Sequence, residues 1–386
     1  MTAADLAEPN AADEALEMRR LLRDSAADFV SRSSLARDVR PWRGVEPGFD
    51  RARWREMAEL GWLGVRTPEE FGGSGLSVAD AAALLTELGR GIGPEPVSAV
   101  AILAARAVVE GQSQETGAAL LPGMCDGTRP IVVAVADKAG QVSASEVSAT
   151  ATERGGRTVL NGTKHYISGA TAAEGFVVAA RTKRGVGLYH VPRDAPGVAL
   201  ELRPYTDGAF CGALRLADAE TDSVVAEPGQ GERALDAALE EARVAASAEM
   251  LGLMRQAHAM TLDYLRTRKQ FGKAIGSFQA VQHRAVDLYV EIELARSALD
   301  RAARTLDETN DPRERALAAS ACKARASEGA LHVAREAIQM HGAIGYTDEH
   351  DIGLYVRRAL VLSAWLGNSG AHRRRYAALA PAPDTV

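Results

Sequence analysis

The sequence predicts a mainly α, α+β fold: a helical N-terminal domain, a middle antiparallel β-domain and a C-terminal antiparallel four-helix bundle. Three observations predict it. Apolar residues recur at three-to-four spacing as far as about Gly127. From about Arg129 to Pro228 the chain turns to short β-branched or alternating runs. From Glu232 to about Tyr376 it is Ala-rich, helical in period and poor in breakers. At 386 residues the chain is long enough for two or three cores. The boundaries that follow are 1–127, 128–231 and 232–386.

The elements follow in order. Leu16, Leu21, Leu22, Ala26 and Phe29 form an amphipathic stripe. Phe49-Asp50-Arg51 opens a second helix through Trp54, Met57, Leu60 and Leu63, stopped by Gly61 and Gly64. Residues 67–73 are a turn, and residues 78–89 and 97–110 are further helices. Strands are expected over residues 130–136, 143–152, 158–160, 176–181, 186–191 and 198–202. Asn161-Gly162 is read as a hairpin turn between two of them. Residues 232–269 form one nearly unbroken helix, followed by helices over 277–306, 312–340 and 351–366. Residues 1–9 and 380–386 are expected to be loose ends.

Composition excludes several classes. The 46% hydrophobic and 25% charged content is that of a globular chain rather than a disordered one. A net charge of −6 gives no global attraction to nucleic acid or to an anionic membrane. Cys125, Cys211 and Cys322 are far apart, which excludes a disulfide framework or a structural zinc site and suits a reducing cytoplasm. No histidines stand at metal-ligand spacing, so no metal is expected. No apolar run approaches a membrane span, and the acidic amino end is unlike a signal peptide. A cytoplasmic protein is expected.

Three segments carry a family resemblance. They are Trp62-Leu63-Gly64 through Thr67-Pro68-Glu69-Glu70-Phe71-Gly72-Gly73; Arg268-Lys269-Gln270-Phe271-Gly272-Lys273 with Phe278-Gln279-Ala280-Val281-Gln282-His283; and Gln339-Met340-His341-Gly342-Ala343-Ile344-Gly345-Tyr346-Thr347. In order and spacing they resemble the acyl-CoA dehydrogenases, over nearly the whole chain. The resemblance implies FAD as cofactor, an acyl-CoA thioester as substrate, an electron-transfer flavoprotein as electron acceptor, and a homo-oligomer or a heteromer with a sister subunit. It implies that Arg268 and Phe271 meet the FAD of a partner subunit, that Gln270 is a further cofactor contact, and that Gln339 and Gly342 lie at the diphosphate and adenosine side. A guanidinium fork suits a pyrophosphate. Lys164-His165-Tyr166-Ile167-Ser168 matches the strand beside the flavin ring, with Tyr166 where Trp is usual and Ser168 where Thr is usual. Ala136 stands where the family has a flavin-facing Thr, and Asn368 falls in a further cofactor-binding turn.

The family reaction removes a proton from the carbon next to a thioester while the β-carbon gives a hydride to the flavin. It needs a positioned carboxylate and donors for the thioester oxygen. Aligned on Arg357-Arg358-Ala359, the commoner base position holds Leu366; the second, just before Arg243, holds Ala242. Arg243 and the Leu366 backbone are the expected substrate contacts. Glu249 lies seven residues beyond Ala242, on the same helix face and about 10 Å along the axis. Glu249 is therefore the candidate base, whereas Glu241 is rotated by about 100° from the position. Two alternatives remain open at this point: a catalytically deficient partner subunit of a heteromeric enzyme, and a flavin oxidase or monooxygenase of the same fold.

Overall fold

The computed structural model describes residues 11–141 and 143–380, so the expected loose ends, apart from Ala380, lie outside the described residues. The N-terminal layer begins with α1 (Ala11–Ser31), α2 (Leu35–Asp38) and α3 (Arg51–Glu59). The α1 stripe divides: Ala26 and Phe29 are buried, whereas Leu16 and Leu21 are exposed. Asp50 caps α3 by accepting from the Ala52 N–H, and Gly61 follows in the left-handed region. Next come α4 (Val78–Arg90), α5 (Ala105–Gly111) and α6 (Gln114–Cys125). Ser77 and Asp80 form a reciprocal capping box on α4. The expected regular helix over 97–110 is wound as a π-helix through Ser98–Ala104 before it becomes α5. Such widened turns gather at functional sites.

The middle layer is an eight-stranded sheet: β1 (Ile131–Ala134), β2 (Thr150–Arg154), β3 (Arg157–Ser168), β4 (Gly175–Thr182), β5 (Gly185–Pro192), β6 (Val198–Pro204), β7 (Phe210–Thr221) and β8 (Val224–Ala226). The path runs β6-β7-β3-β2-β4-β5-β8, with β1 on β4. Pairing is antiparallel except where β4 meets β1 and, at one residue pair, β2. Asn161-Gly162 is not a hairpin turn. It lies inside β3, at an irregularity in the register with β7. The turn is at Gly155-Gly156, both at positive φ, closing the Arg154–Arg157 pair. Part of the expected strand over 143–152 is a short helical turn at Ala144–Glu146.

The bundle comprises α7 (Gly231–Thr267), α8 (Gln279–Glu308), α9 (Pro312–His341) and α10 (Ile352–Ala364), with α11 (Ser369–Leu379) packed on α9. A small hairpin, β9 (Lys269–Gln270) and β10 (Lys273–Ala274), joins α7 to α8. Helix α7 also crosses α4 at two glycines. A side chain at Gly252 would stand 1.9 Å from the Thr86 carbonyl, and one at Gly89 would stand 2.3 Å from the Glu249 carbonyl. Only glycine permits that approach.

Two buried histidines make the fold acid-sensitive. Burial pushes His190 down to about 4. Burial, with the charges of Arg243 and Lys323, pushes His372 down to about 3. Both are neutral when folded, while the unfolded chain takes up protons below about pH 6.5, so stability falls as pH drops below that value. Between pH 6.5 and 4.5 each should cost the fold about 2–3 kcal/mol. Denaturant midpoints measured against pH should show this slope, and it should flatten in His190→Gln/His372→Gln. An unchanged slope in that variant refutes the assignment.

Candidate active site

The layers meet in one cleft. Its centre is an ion pair between α7 and α10: Arg358 Nη2 donates to Glu249 Oε2 at 2.9 Å. Arg358 Nη1 donates to Asp207 Oδ2 at 3.2 Å, from the connection between β6 and β7. Ser98 Oγ, on the first π-wound turn, donates to Glu249 Oε1. Both oxygens of Glu249 are therefore held, from two different helical segments. Burial opposes the charge on Arg358, yet Glu249 and Asp207 together keep its guanidinium above its ordinary pKa.

Adjoining cavities surround this pair. One is lined by Phe29, Met57, Leu85, Leu88, Glu95 and Glu249 among others. A second shares Glu95, Glu249 and Arg358 and reaches Ser168, Tyr205 and Trp365. A third continues from Ser168 and Tyr205 past Arg358 to Phe49 and Phe210. The cleft thus runs from an apolar end between α1 and α4, through a charged middle, to the end of β3. An apolar end that opens into converging polar groups suits a small molecule carrying an acyl chain.

The expected flavin contacts fall into two groups. Ser168 lines the cleft. Tyr166, two residues earlier, stands at a positive φ of 58° inside an irregular stretch of β3 and is half exposed. The bulge is what re-aims it off the strand. Beside it the His165 N–H donates to the Ala136 carbonyl at 2.7 Å, and Lys164 Nζ bonds the Val135 carbonyl at 3.0 Å and Asp137 at 2.8 Å. The Lys164 side chain is fully buried, and burial pulls its pKa down. This pair ties the loop over residues 135–137 to β3.

Arg268, Gln270, Phe271, Gln339 and Gly342 form the second group, all exposed. The stacking of Tyr264 on His341, with centroids 4.5 Å apart, brings the ends of α7 and α9 together and so places these segments side by side. Phe271 is 91% exposed, held at positive φ at the tip of the β9–β10 hairpin. An exposed aromatic, a nearby guanidinium and an open glycine backbone at Gly342 are a donor set that fits a dinucleotide's adenosine and diphosphate. Arg268, Gln270, Phe271, Gln339 and Gly342 would hold that end of FAD, and Tyr166 and Ser168 the ring.

Other expected contacts serve the fold. Arg243 has no exposed surface; it pairs with Glu240 at 2.8 Å, and Arg375 of α11 grips the same carboxylate. Burial lowers the Arg243 pKa despite Glu240. Asn368 caps α11, accepting from the Ala371 N–H at 2.9 Å. Glu241 is turned away from the cleft, into a cluster with Arg66, Arg106 and Arg315. Leu366 lies in the α10–α11 turn with φ at 59°, and its N–H has no backbone acceptor among the described residues. The carbonyls around it are fixed from behind: His372 bonds Leu366 O at 2.9 Å, and Lys323 bonds Gly367 O at 3.0 Å.

Sequence reasoning missed Ser98, Asp207 and Glu95, and read Arg358 only as part of a three-residue match. Among them only Glu95, a carboxylate between two prolines, carried a local signal. Among the described residues no group of three His, Cys, Asp or Glu side chains is placed to hold a metal ion, and no helix is long and apolar enough to cross a membrane.

Comparison with known proteins agrees with this geometry. Residues 17–128, 133–218 and 229–380 match the N-terminal, middle and C-terminal domain models of acyl-CoA dehydrogenase. The chain is 30% identical to acyl-CoA dehydrogenase FadE27 of Mycobacterium tuberculosis, covering 86% of this chain and 88% of that one. A solved variant of the Tcur3481-Tcur3483 steroid ACAD superposes with a TM-score of 0.84 at 33% identity, over 95% of this chain and 98% of that one. The ChsE4-ChsE5 complex from Mycobacterium tuberculosis gives a TM-score of 0.85 at 28% identity, over 98% of this chain and 100% of the other. A three-layer fold with a cleft of this kind, matched along its whole length by those domain models, places the chain in the acyl-CoA dehydrogenase family of FAD-dependent oxidoreductases.

Proposed function

We propose that this chain forms the α,β-double bond of an acyl-CoA thioester, with Glu249 as the base, and that it works in an assembly with a second subunit. The observation that carries the reading is the Glu249 carboxylate, held in the cleft by Ser98 and Arg358 and sharing a cavity with Ser168. Neither usual base position offers a carboxylate, since Ala242 and Leu366 occupy them. A weakly acidic α-proton calls for a carboxylate that is aimed and shielded from bulk water. Ser98 and Arg358 fix its direction, and the Leu366 N–H is available for the thioester oxygen. Bound FAD supplies the hydride acceptor, and an electron-transfer flavoprotein is the proposed onward acceptor.

The second subunit is supported by exposed apolar surface. Val286, Tyr289 and Val290 are exposed on one stretch of α8, as is Phe271 on the hairpin. Apolar area of this kind marks a protein–protein contact. Two of the similar structures are named as pairs of unlike chains. This favours a second reading beside the first, in which the chain is the partner that completes a sister subunit's cofactor site.

The test is an anaerobic titration of the purified protein, alone and with its co-purifying chain, against a panel of acyl-CoA thioesters. Bleaching of bound flavin supports dehydrogenation. Bleaching in the mixed assembly that survives Glu249→Gln in this chain favours the second reading. Oxygen uptake without any other acceptor favours an oxidase.

A further inference from the structure

The inference rests on the acyl-thioester reading of the cleft and concerns a residue outside the proposed proton transfer. Glu95 lies between α4 and the π-wound turn, with a side chain only 1% exposed. Its Oε1 accepts from Arg53 Nε at 3.0 Å, whereas its Oε2 is buried with no hydrogen-bond partner. Arg53 is committed elsewhere as well: Nη1 donates to Ser33 Oγ at 2.9 Å, and the guanidinium lies 4.4 Å over the Phe29 ring. It is thus fixed on one side of the carboxylate. A side chain at Gly93 would stand 2.5 Å from Oε2, so only bare backbone, which offers it no hydrogen bond, fits against that oxygen. Glu95 lines both cavities that flank the Glu249–Arg358 pair.

A buried acceptor without a donor is costly, and native structures leave few of them without a reason. Burial raises the Glu95 pKa against the pull of Arg53. Arg53 and Arg358 already balance the Glu95 and Glu249 carboxylates on the same cavity wall, so the donor that fits is neutral. A ketone offers no proton to a carboxylate. A hydroxyl meets both conditions.

We propose that Glu95 is a specificity-determining residue that accepts a hydrogen bond from a hydroxyl carried on the acyl group, so that the chain selects hydroxylated acyl thioesters over plain alkanoyl ones. The preference arises because a plain chain leaves Oε2 unmatched while displacing any water from it.

The test is equilibrium binding of hexanoyl-, octanoyl- and decanoyl-CoA to the flavin-loaded protein, each compared with its ω-hydroxy, (ω−1)-hydroxy and ω-oxo counterparts. At one length or more, a hydroxylated thioester should bind about tenfold or more tightly than the plain one. In Glu95→Leu the two should come within about twofold of each other. The ligand comparison in the unmodified protein decides the matter even if that variant does not fold. Equal affinity of hydroxylated and plain thioesters at every length overturns the inference, as does a preference that survives Glu95→Leu. Preference for the ω-oxo compounds overturns it too, by making Glu95 the donor. If plain and hydroxylated thioesters alike fail to bind, the acyl-thioester reading itself falls and takes this inference with it.

Discussion

Glu249→Gln should lower the rate of flavin bleaching by an acyl-CoA by about a thousandfold, with flavin retained and thioester binding little changed. The amide keeps the size of the side chain; its oxygen can still accept from Arg358 and its NH2 can donate to Ser98 Oγ, so the cleft should keep its shape. What it loses is the capacity to take a proton, and positioned general bases contribute roughly a hundred- to ten-thousandfold. Arg358→Met serves as a control of a different kind. It leaves the carboxylate in place but removes the donor that aims it, so it should lower the rate less than Glu249→Gln does. The measurement is a single-turnover trace of flavin absorbance under nitrogen. Bleaching by Glu249→Gln at the unmodified rate would move the proton acceptor to another residue or another subunit.

The second large effect is on stability. Lys323→Met should cost about 3 kcal/mol or more, read as a shift in denaturant midpoint. The ammonium group lies between α9 and α10, where it bonds Ser327 Oγ at 3.1 Å and the carbonyls of Leu362, Ser363 and Gly367 at 3.0, 3.2 and 3.0 Å. Those carbonyls belong to the last turn of α10 and the residues after it, where a helix has no internal donors left to offer. Burial and the charge of Arg243 pull Lys323 down to about 7, a measure of how dry the site is. Methionine fills a similar volume but donates nothing, so several buried acceptors lose their partner at once. The same variant should speed amide exchange over residues 362–368, next to the left-handed Leu366. A midpoint within about 1 kcal/mol of the parent would show that water substitutes for the lysine.

The helices were legible because their signals are local. An Ala-rich stretch without breakers fixes α7 at Gly231–Thr267 against the expected 232–269, and Ser77 with Asp80 marks the start of α4. Pairing is not local. Asn161-Gly162 has the dipeptide of a tight turn, but β7 runs alongside that stretch of β3 and absorbs it as an irregularity, leaving the turn to Gly155-Gly156. Leu16 and Leu21 obeyed helical spacing yet face outward, because periodicity names a face without naming what covers it.

The same division holds in the site. Helix geometry alone brought Glu249 forward, since seven residues return to the same face of α7. Its holders are not on that helix: Ser98 is 151 positions earlier and Arg358 is 109 positions later. No period links them, and an arginine in a three-residue match looks the same whether it is solvated or bridges two carboxylates. Glu95 stands between two prolines, but what distinguishes it is an oxygen with no partner, a property of the folded surroundings only.

The two glycines where α4 crosses α7 also constrain how this cleft can be altered. With Gly252 against Thr86 and Gly89 against Glu249, the helix spacing is already at backbone contact. The gap cannot be narrowed, and any side chain at either point would wedge it open and carry Glu249 with it. Redesign of the acyl end must therefore work through the facing side chains, Leu85 and Leu88 on α4 or Phe29 and Met57 opposite, where volume is exchanged without moving a helix. The crossing acts as a fixed ruler: chain length can be tuned by what projects into the cleft, while the height of the proposed base above it stays constant.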